Sequence, residues 1–119
     1  MSWLTKSWQA LARSLEAAHR RLRDRLRPDI RVHMVTERPT QLRPHRLYVT
    51  RQADGPAFGF LLCPCGCGET LHLRFFGERR PRWQVRHDAR GRASVTPSVW
   101  RQAGCRSHFI LTSGRVRWC

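Results

Sequence analysis

The 119-residue chain has a single lysine, Lys6, and only 8 acidic side chains. It has no run of about 18 apolar residues, so no segment reads as a membrane-spanning helix. It also lacks the apolar N-terminal core of a signal peptide, which argues against secretion and for a cytoplasmic location. Internal repeats and low-complexity stretches are missing. Five Trp and five Phe exclude a disordered tail. The length suits one domain, since domains typically run to about 100–150 residues. A core this small is marginal and gains from an added staple.

Basic side chains number 23, so all but one are arginine, and the formal charge is +15. An arginine excess neutralises phosphates and points towards nucleic acid. The same composition is what a GC-rich genome writes. The charge is also spread along the chain. Residues 1–28 carry 7 bases and 2 acids, and residues 29–119 carry 16 bases and 6 acids. Composition therefore names no partner beyond a preference for acidic ones.

Leu4, Trp8, Leu11, Leu15, Leu22 and Leu26 recur at helical spacing, with Ala18 filling the gap. Arg13, Arg20, Arg21, Arg23 and Arg27 fall mainly off this stripe. Pro28 closes the segment, because a residue before proline avoids the α region. Residues 3–27 thus read as a basic amphipathic helix of about seven turns. Its stripe needs cover from its own domain, a second copy, a partner protein or, given Trp3 and Trp8, an anionic membrane surface.

Beyond Pro28 the pattern changes to period two. Strands are expected at 31–36, 47–51, 57–63, 70–76, 83–87, 93–96, 107–112 and 115–118, with Gly and Pro turns between them. The expected fold is mainly β: a small antiparallel sheet or barrel with a zinc-stapled loop cluster, plus one long N-terminal helix. Residues 1–28 form the helix unit and 29–119 the zinc-stabilised β domain.

Cys63, Cys65 and Cys67 alternate within five residues, and Gly66 and Gly68 free the backbone to curl their thiols inward. A reducing compartment disfavours disulfides. Three close thiols and a distant fourth suit a structural zinc, which takes four N or S ligands in a tetrahedron. Cys105, just after Gly104, is the best fourth ligand; Cys119, His72 and His108 compete. A closed four-ligand site leaves no position for a reactive water, so this metal is a scaffold.

Ser107 beside His108 suggests nucleophilic catalysis, in which imidazole takes a hydroxyl proton. On a regular strand, however, neighbours point to opposite faces. Either the turn at Gly104 folds Ser107 back, or His108 serves Ser98 on an adjacent strand. Glu69 is the candidate orienting acid, with Asp88 as the other choice.

The combination Cys63-Pro-Cys-Gly-Cys-Gly-Glu69, Pro97-Ser98-Val99-Trp100, Cys105-Arg-Ser107-His108-Phe109 and Gly114-Arg-Val116-Arg-Trp118 resembles a small bacterial domain family. That family is similar to the serine peptidase of bacterial ubiquitination-like operons, which also encode a ubiquitin-like protein and its activating and conjugating enzymes. The resemblance covers about residues 38–119, with Ile110 where the pattern favours an aromatic. It implies a deubiquitinase-like serine peptidase that removes a ubiquitin-like protein from its targets or processes its C-terminus. Ser107 or Ser98 would be the nucleophile and His108 the base, with Cys63, Cys65, Cys67 and Cys105 holding the metal. Amides near Gly104 or in the Cys65–Gly68 loop would serve the oxyanion. The other function class that fits is a non-catalytic, zinc-stabilised binding module for nucleic acid or an acidic protein.

Overall fold

The computed structural model describes residues 2–119, without the side chains at 2–6, 20, 21 and 23–25. The sequence readings on the side chains of Trp3, Leu4, Lys6, Arg20, Arg21 and Arg23 lie outside the described residues. One helix, α1, runs over Ser2–Leu26 and stops just before Pro28. The Arg27 carbonyl beyond its last turn accepts a bond from Arg115 Nη1 at 3.0 Å, which ties the helix end to the β domain.

Eight strands follow. They are β1 (Arg31–Met34), β2 (Arg46–Gln52), β3 (Gly55–Leu62), β4 (Thr70–Arg74), β5 (Gln84–His87), β6 (Ala93–Trp100), β7 (His108–Thr112) and β8 (Arg115–Trp118). They form two four-stranded sheets in the orders β1-β2-β3-β4 and β5-β6-β7-β8. Neither closes into a barrel, so the barrel alternative is corrected to two open sheets. Their inward residues share one core. Leu47, Val49, Leu61, Leu71, Leu73 and Phe75 come from the first sheet and its edges; Ala93, Val95, Val99, Phe109 and Leu111 come from the second. Ten of these residues lie in strands, and in β2, β4, β6 and β7 they recur at steps of two or four, as one face of a strand requires.

Two pairings depart from the antiparallel expectation and from the expected strand ends. β1 pairs parallel to β2, with Val32 opposite Leu47. Residues 35–45, which include Pro39 and Pro44, carry the chain back along the strand, and parallel pairing needs such a crossover. The strand expected to end at Thr96 runs on to Trp100. Pro97 lacks an N–H to donate, and the pairing with β7 shifts register between Val95 and Val99, where a proline is tolerated.

Two glycines set the packing. Gly59 lies under the Phe75 ring, so a Cβ there would sit 2.6 Å from Phe75 Cζ. Gly114, at φ +80°, follows Ser113 at φ +48° in the two-residue turn between β7 and β8. Two successive positive φ values are what a tight hairpin of right-handed twist requires. Ile30 N donates to Gly114 O at 2.9 Å, and Gly114 N donates to Ala93 O at 2.7 Å, so this turn also joins β6 to the segment entering β1.

Candidate active site and thiol cluster

The loop from β3 to β4 curls on itself. Cys63 N donates to Glu69 O at 2.8 Å, and Gly66 N donates to Cys63 O at 3.1 Å. Gly66 and Gly68 have φ of +89° and +84°, values that L side chains rarely adopt. On the second sheet the β6–β7 connection closes through Arg101 N donating to Ser107 O at 2.9 Å. Gly104 and Arg106 take positive φ there and swing Cys105 outwards.

These two loops bring four thiols together. The Sγ atoms of Cys63, Cys65, Cys67 and Cys105 all lie within 4.8 Å of one another. Cys63 Sγ is 3.3 Å from Cys65 Sγ and 3.7 Å from Cys105 Sγ. A tetrahedron with metal–sulfur bonds of about 2.3 Å has edges of about 3.8 Å, so the donor set fits such an ion. No disulfide joins any of them. Cys119 stands apart, its N–H donating to His108 O at 2.9 Å, and His72 packs edge-on against Phe60.

The electrostatics of the cluster are uneven. The Ser107 hydroxyl, 3.2 Å from Cys105 Sγ, and the Ser107 backbone hold the Cys105 thiol down to about 5, helped by Arg101. Burial pushes the Cys63 thiol up to about 12. Arg101 Nη1 donates to Cys105 Sγ at 3.3 Å and to Cys67 Sγ at 3.8 Å, while its Nη2 pairs with the Glu69 carboxylate. Glu69, then Cys105, fix the Arg101 charge above its ordinary value. Arg101 is a part of this site that sequence reading missed, because nothing in its spacing sets it apart from 21 other arginines.

The second constellation lies on the outward face of β6 and β7. Trp100 is paired with His108, and Val99 with Phe109. Phe109 and Val99 point into the core, so His108, Trp100 and Ser98 share the other face. Ser98 is the diagonal neighbour of His108. Its Oγ lies 2.9 Å from His108 Nε2. The Ser98 carbonyl is held by Trp83 Nε1 at 3.2 Å. The Trp100 indole stacks on the His108 imidazole at a centroid distance of 5.1 Å and 14° between planes. Trp100 was legible in principle, since it stands two residues from Ser98 on a strand.

The remaining site residues fall as follows. Ser107 faces the thiols, with Cys105 as its partner. Glu69 is engaged by Arg101. Asp88 caps the β5–β6 turn, accepting from Arg90 N and Arg92 N at 2.9 Å each and pairing with Arg92 Nε at 2.6 Å. Among the described residues, no carboxylate bonds to His108.

Chemically, a serine hydroxyl on an imidazole nitrogen is a nucleophile and base in contact. With the ring hydrogen on Nδ1, Nε2 accepts the Ser98 proton. The two-sheet domain thus carries a serine–histidine contact on one face and a separate four-thiol cluster. The chain belongs to the bacterial ubiquitination-like system serine protease (BubE) family, whose model matches residues 34–119. No curated protein and no solved structure matches it.

Proposed function

We propose that residues 29–119 act as a deconjugating serine peptidase, cutting the acyl bond at the C-terminus of a ubiquitin-like protein. The observation that carries this reading is the 2.9 Å contact between Ser98 Oγ and His108 Nε2. Ser98 Oγ attacks the scissile carbonyl while its proton passes to Nε2. The acyl–Ser98 ester forms as the C–N bond breaks, and His108 returns the proton to the departing amine. Water then attacks the ester, again giving its proton to His108, and the free carboxyl terminus leaves. The basic surface favours an acidic partner and speeds its approach.

Ser107 has a different role in this reading. Its hydroxyl supports the Cys105 thiolate, and so it belongs to the metal site. Cys63, Cys65, Cys67 and Cys105 would hold a zinc ion, which would supply folding energy rather than a reactive water. Four thiolates around a divalent ion carry a net charge of about −2, and Arg101 offsets part of it. Arg101 follows Trp100 directly, so the cluster fixes the end of the strand that carries Ser98.

The test is labelling with a fluorophosphonate probe, with cleavage of a ubiquitin-like fusion followed in parallel. Label on Ser98, lost in Ser98→Ala and His108→Ala and kept in Ser107→Ala, is the expected result. Label on Ser107, or cleavage surviving in Ser98→Ala, overturns the assignment.

A further inference from the structure

The helix α1 does not lie along either sheet. Trp8, Leu11, Leu15 and Leu22 are 70%, 52%, 61% and 57% exposed, and the molecule extends over 69 × 30 × 25 Å. At 1.5 Å per residue the 25-residue helix accounts for about 37 Å of rod. We propose that α1 pairs with the α1 of a second copy of this chain, in an antiparallel two-helix coiled coil.

The spacing of the stripe carries the first part of the argument. Positions 4, 8, 11, 15, 18 and 22 are separated by alternating steps of four and three, the 3.5-residue repeat of a coiled-coil seam. This seam is narrower than the apolar face of a helix that docks on a globular core. A seam of that period is complementary to another helix.

Charge placement says which helix. The bases at 6, 13, 20 and 27 also recur every seven residues, at the position diametrically opposite the seam. The positions flanking the seam are Thr5, Ser7, Ala12, Ser14, His19, Arg21 and Leu26. Oppositely charged flanks select a foreign partner, and here only Arg21 is a full charge. Two copies can therefore approach with these four positions on their outer faces, and Arg25 takes the seam position after Leu22, at the end of the contact. A helix lying in a membrane surface needs its bases beside the apolar face, where they reach headgroups; four of the seven here take the far position.

Size complementarity gives the direction. In antiparallel register centred on residue 13, Leu11 faces the partner's Leu15 and Leu22 faces position 4. Trp8, the largest seam residue, then faces the partner's Ala18, the smallest. A parallel pair would instead stack Trp8 on Trp8 and leave Ala18 opposite Ala18, crowding one layer and hollowing another. The antiparallel seam is isologous, so it closes at two copies. The interaction is independent of the peptidase reading.

Sedimentation velocity on the full chain tests the pairing. The expected species has twice the 14.0 kDa chain mass. Leu15→Arg gives a monomer whose β-domain melting transition is unchanged. Ala18→Trp, which opposes Trp to Trp, weakens pairing by about tenfold or more, and the double variant Trp8→Ala/Ala18→Trp restores it. A monomeric wild type overturns the proposal. So does a dimer that survives Leu15→Arg, or one that Ala18→Trp leaves equally tight. Binding of the wild-type monomer to phosphatidylserine vesicles in place of pairing also counts against it.

Discussion

The indole of Trp100 lies flat against the imidazole of His108, their centroids 5.1 Å apart. This contact covers one face of the base and leaves its Nε2 edge directed at Ser98. Among the described residues no carboxylate holds the ring, so the stack and the Ser98 contact together set its orientation. An aromatic pair of this kind contributes about 0.5–1.5 kcal/mol beyond its buried area, and a nearby π-face also favours the imidazolium formed during attack. Trp100→Ala is expected to lower kcat/KM up to about tenfold, since about 1.4 kcal/mol is a factor of ten. Trp100→Phe should recover most of the loss. Steady-state hydrolysis of a fluorogenic ubiquitin-like C-terminal substrate measures both.

Removing the metal should destabilise the domain and spare no part of the site. An ion present at about a hundred times its Kd adds ~2.7 kcal/mol of stability, which converts to roughly 10–20 °C in Tm for a domain of this size. A chelator should produce that fall, and Cys105→Ser should reproduce it in protein that no longer retains metal. Elemental analysis beside differential scanning calorimetry checks the pair of outcomes. Metal-free protein with an unshifted Tm would show that the cluster is not a structural metal site.

Gly59 tests the packing of the first sheet. A methyl group there meets Phe75 Cζ at 2.6 Å and Leu47 Cδ1 at 3.3 Å, and both neighbours belong to well-filled surroundings. Gly59→Ala should therefore cost about 1–3 kcal/mol, the usual range for overpacking. Phe75→Leu in the same chain should return part of it. Urea unfolding of the single and double variants gives the coupling directly.

Asp88 gives the fold an acid-sensitive turn. Its hydrogen bonds from Arg92 and Arg90, with the nearby Arg92 charge, outweigh its desolvation and hold the carboxyl below its ordinary value of 3.8. The unfolded chain therefore binds the proton more readily than the folded one. The stabilisation is present above about pH 3.9 and is lost as pH falls through the lower folded value. Asp88→Asn should flatten this part of the acid limb while changing the neutral-pH slope little. Thermal melts between the two pH regimes read the difference.

Much of this architecture was visible in residue patterns. Thr70–Arg74 alternates buried and exposed residues as its spelling requires, and Pro28 marks the helix end. The thiol cluster was legible because Cys-Pro-Cys-Gly-Cys-Gly has little other chemistry to offer. Two features were not. The parallel pairing of β1 with β2 depends on how residues 35–45 travel, which no local pattern encodes. Which serine contacts His108 depends on the register of β6 against β7, set by Val99 opposite Phe109 and displaced at Pro97. A shift of one residue would turn Ser98 away from His108.

The order of residues along the chain gives the thiol cluster a temporal meaning. Cys63, Cys65 and Cys67 stand near the middle of the chain, whereas Cys105 comes about forty residues later, between Ser98 and His108. Closing the loop over 101–107 brings Cys105 to the first three thiols, and the same closure lays β7 against β6. The four-thiol set and the Ser98–His108 contact thus depend on the same loop closure. A nascent protein stalled before that loop would already hold three thiols and Ser98, yet lack the histidine that Ser98 contacts.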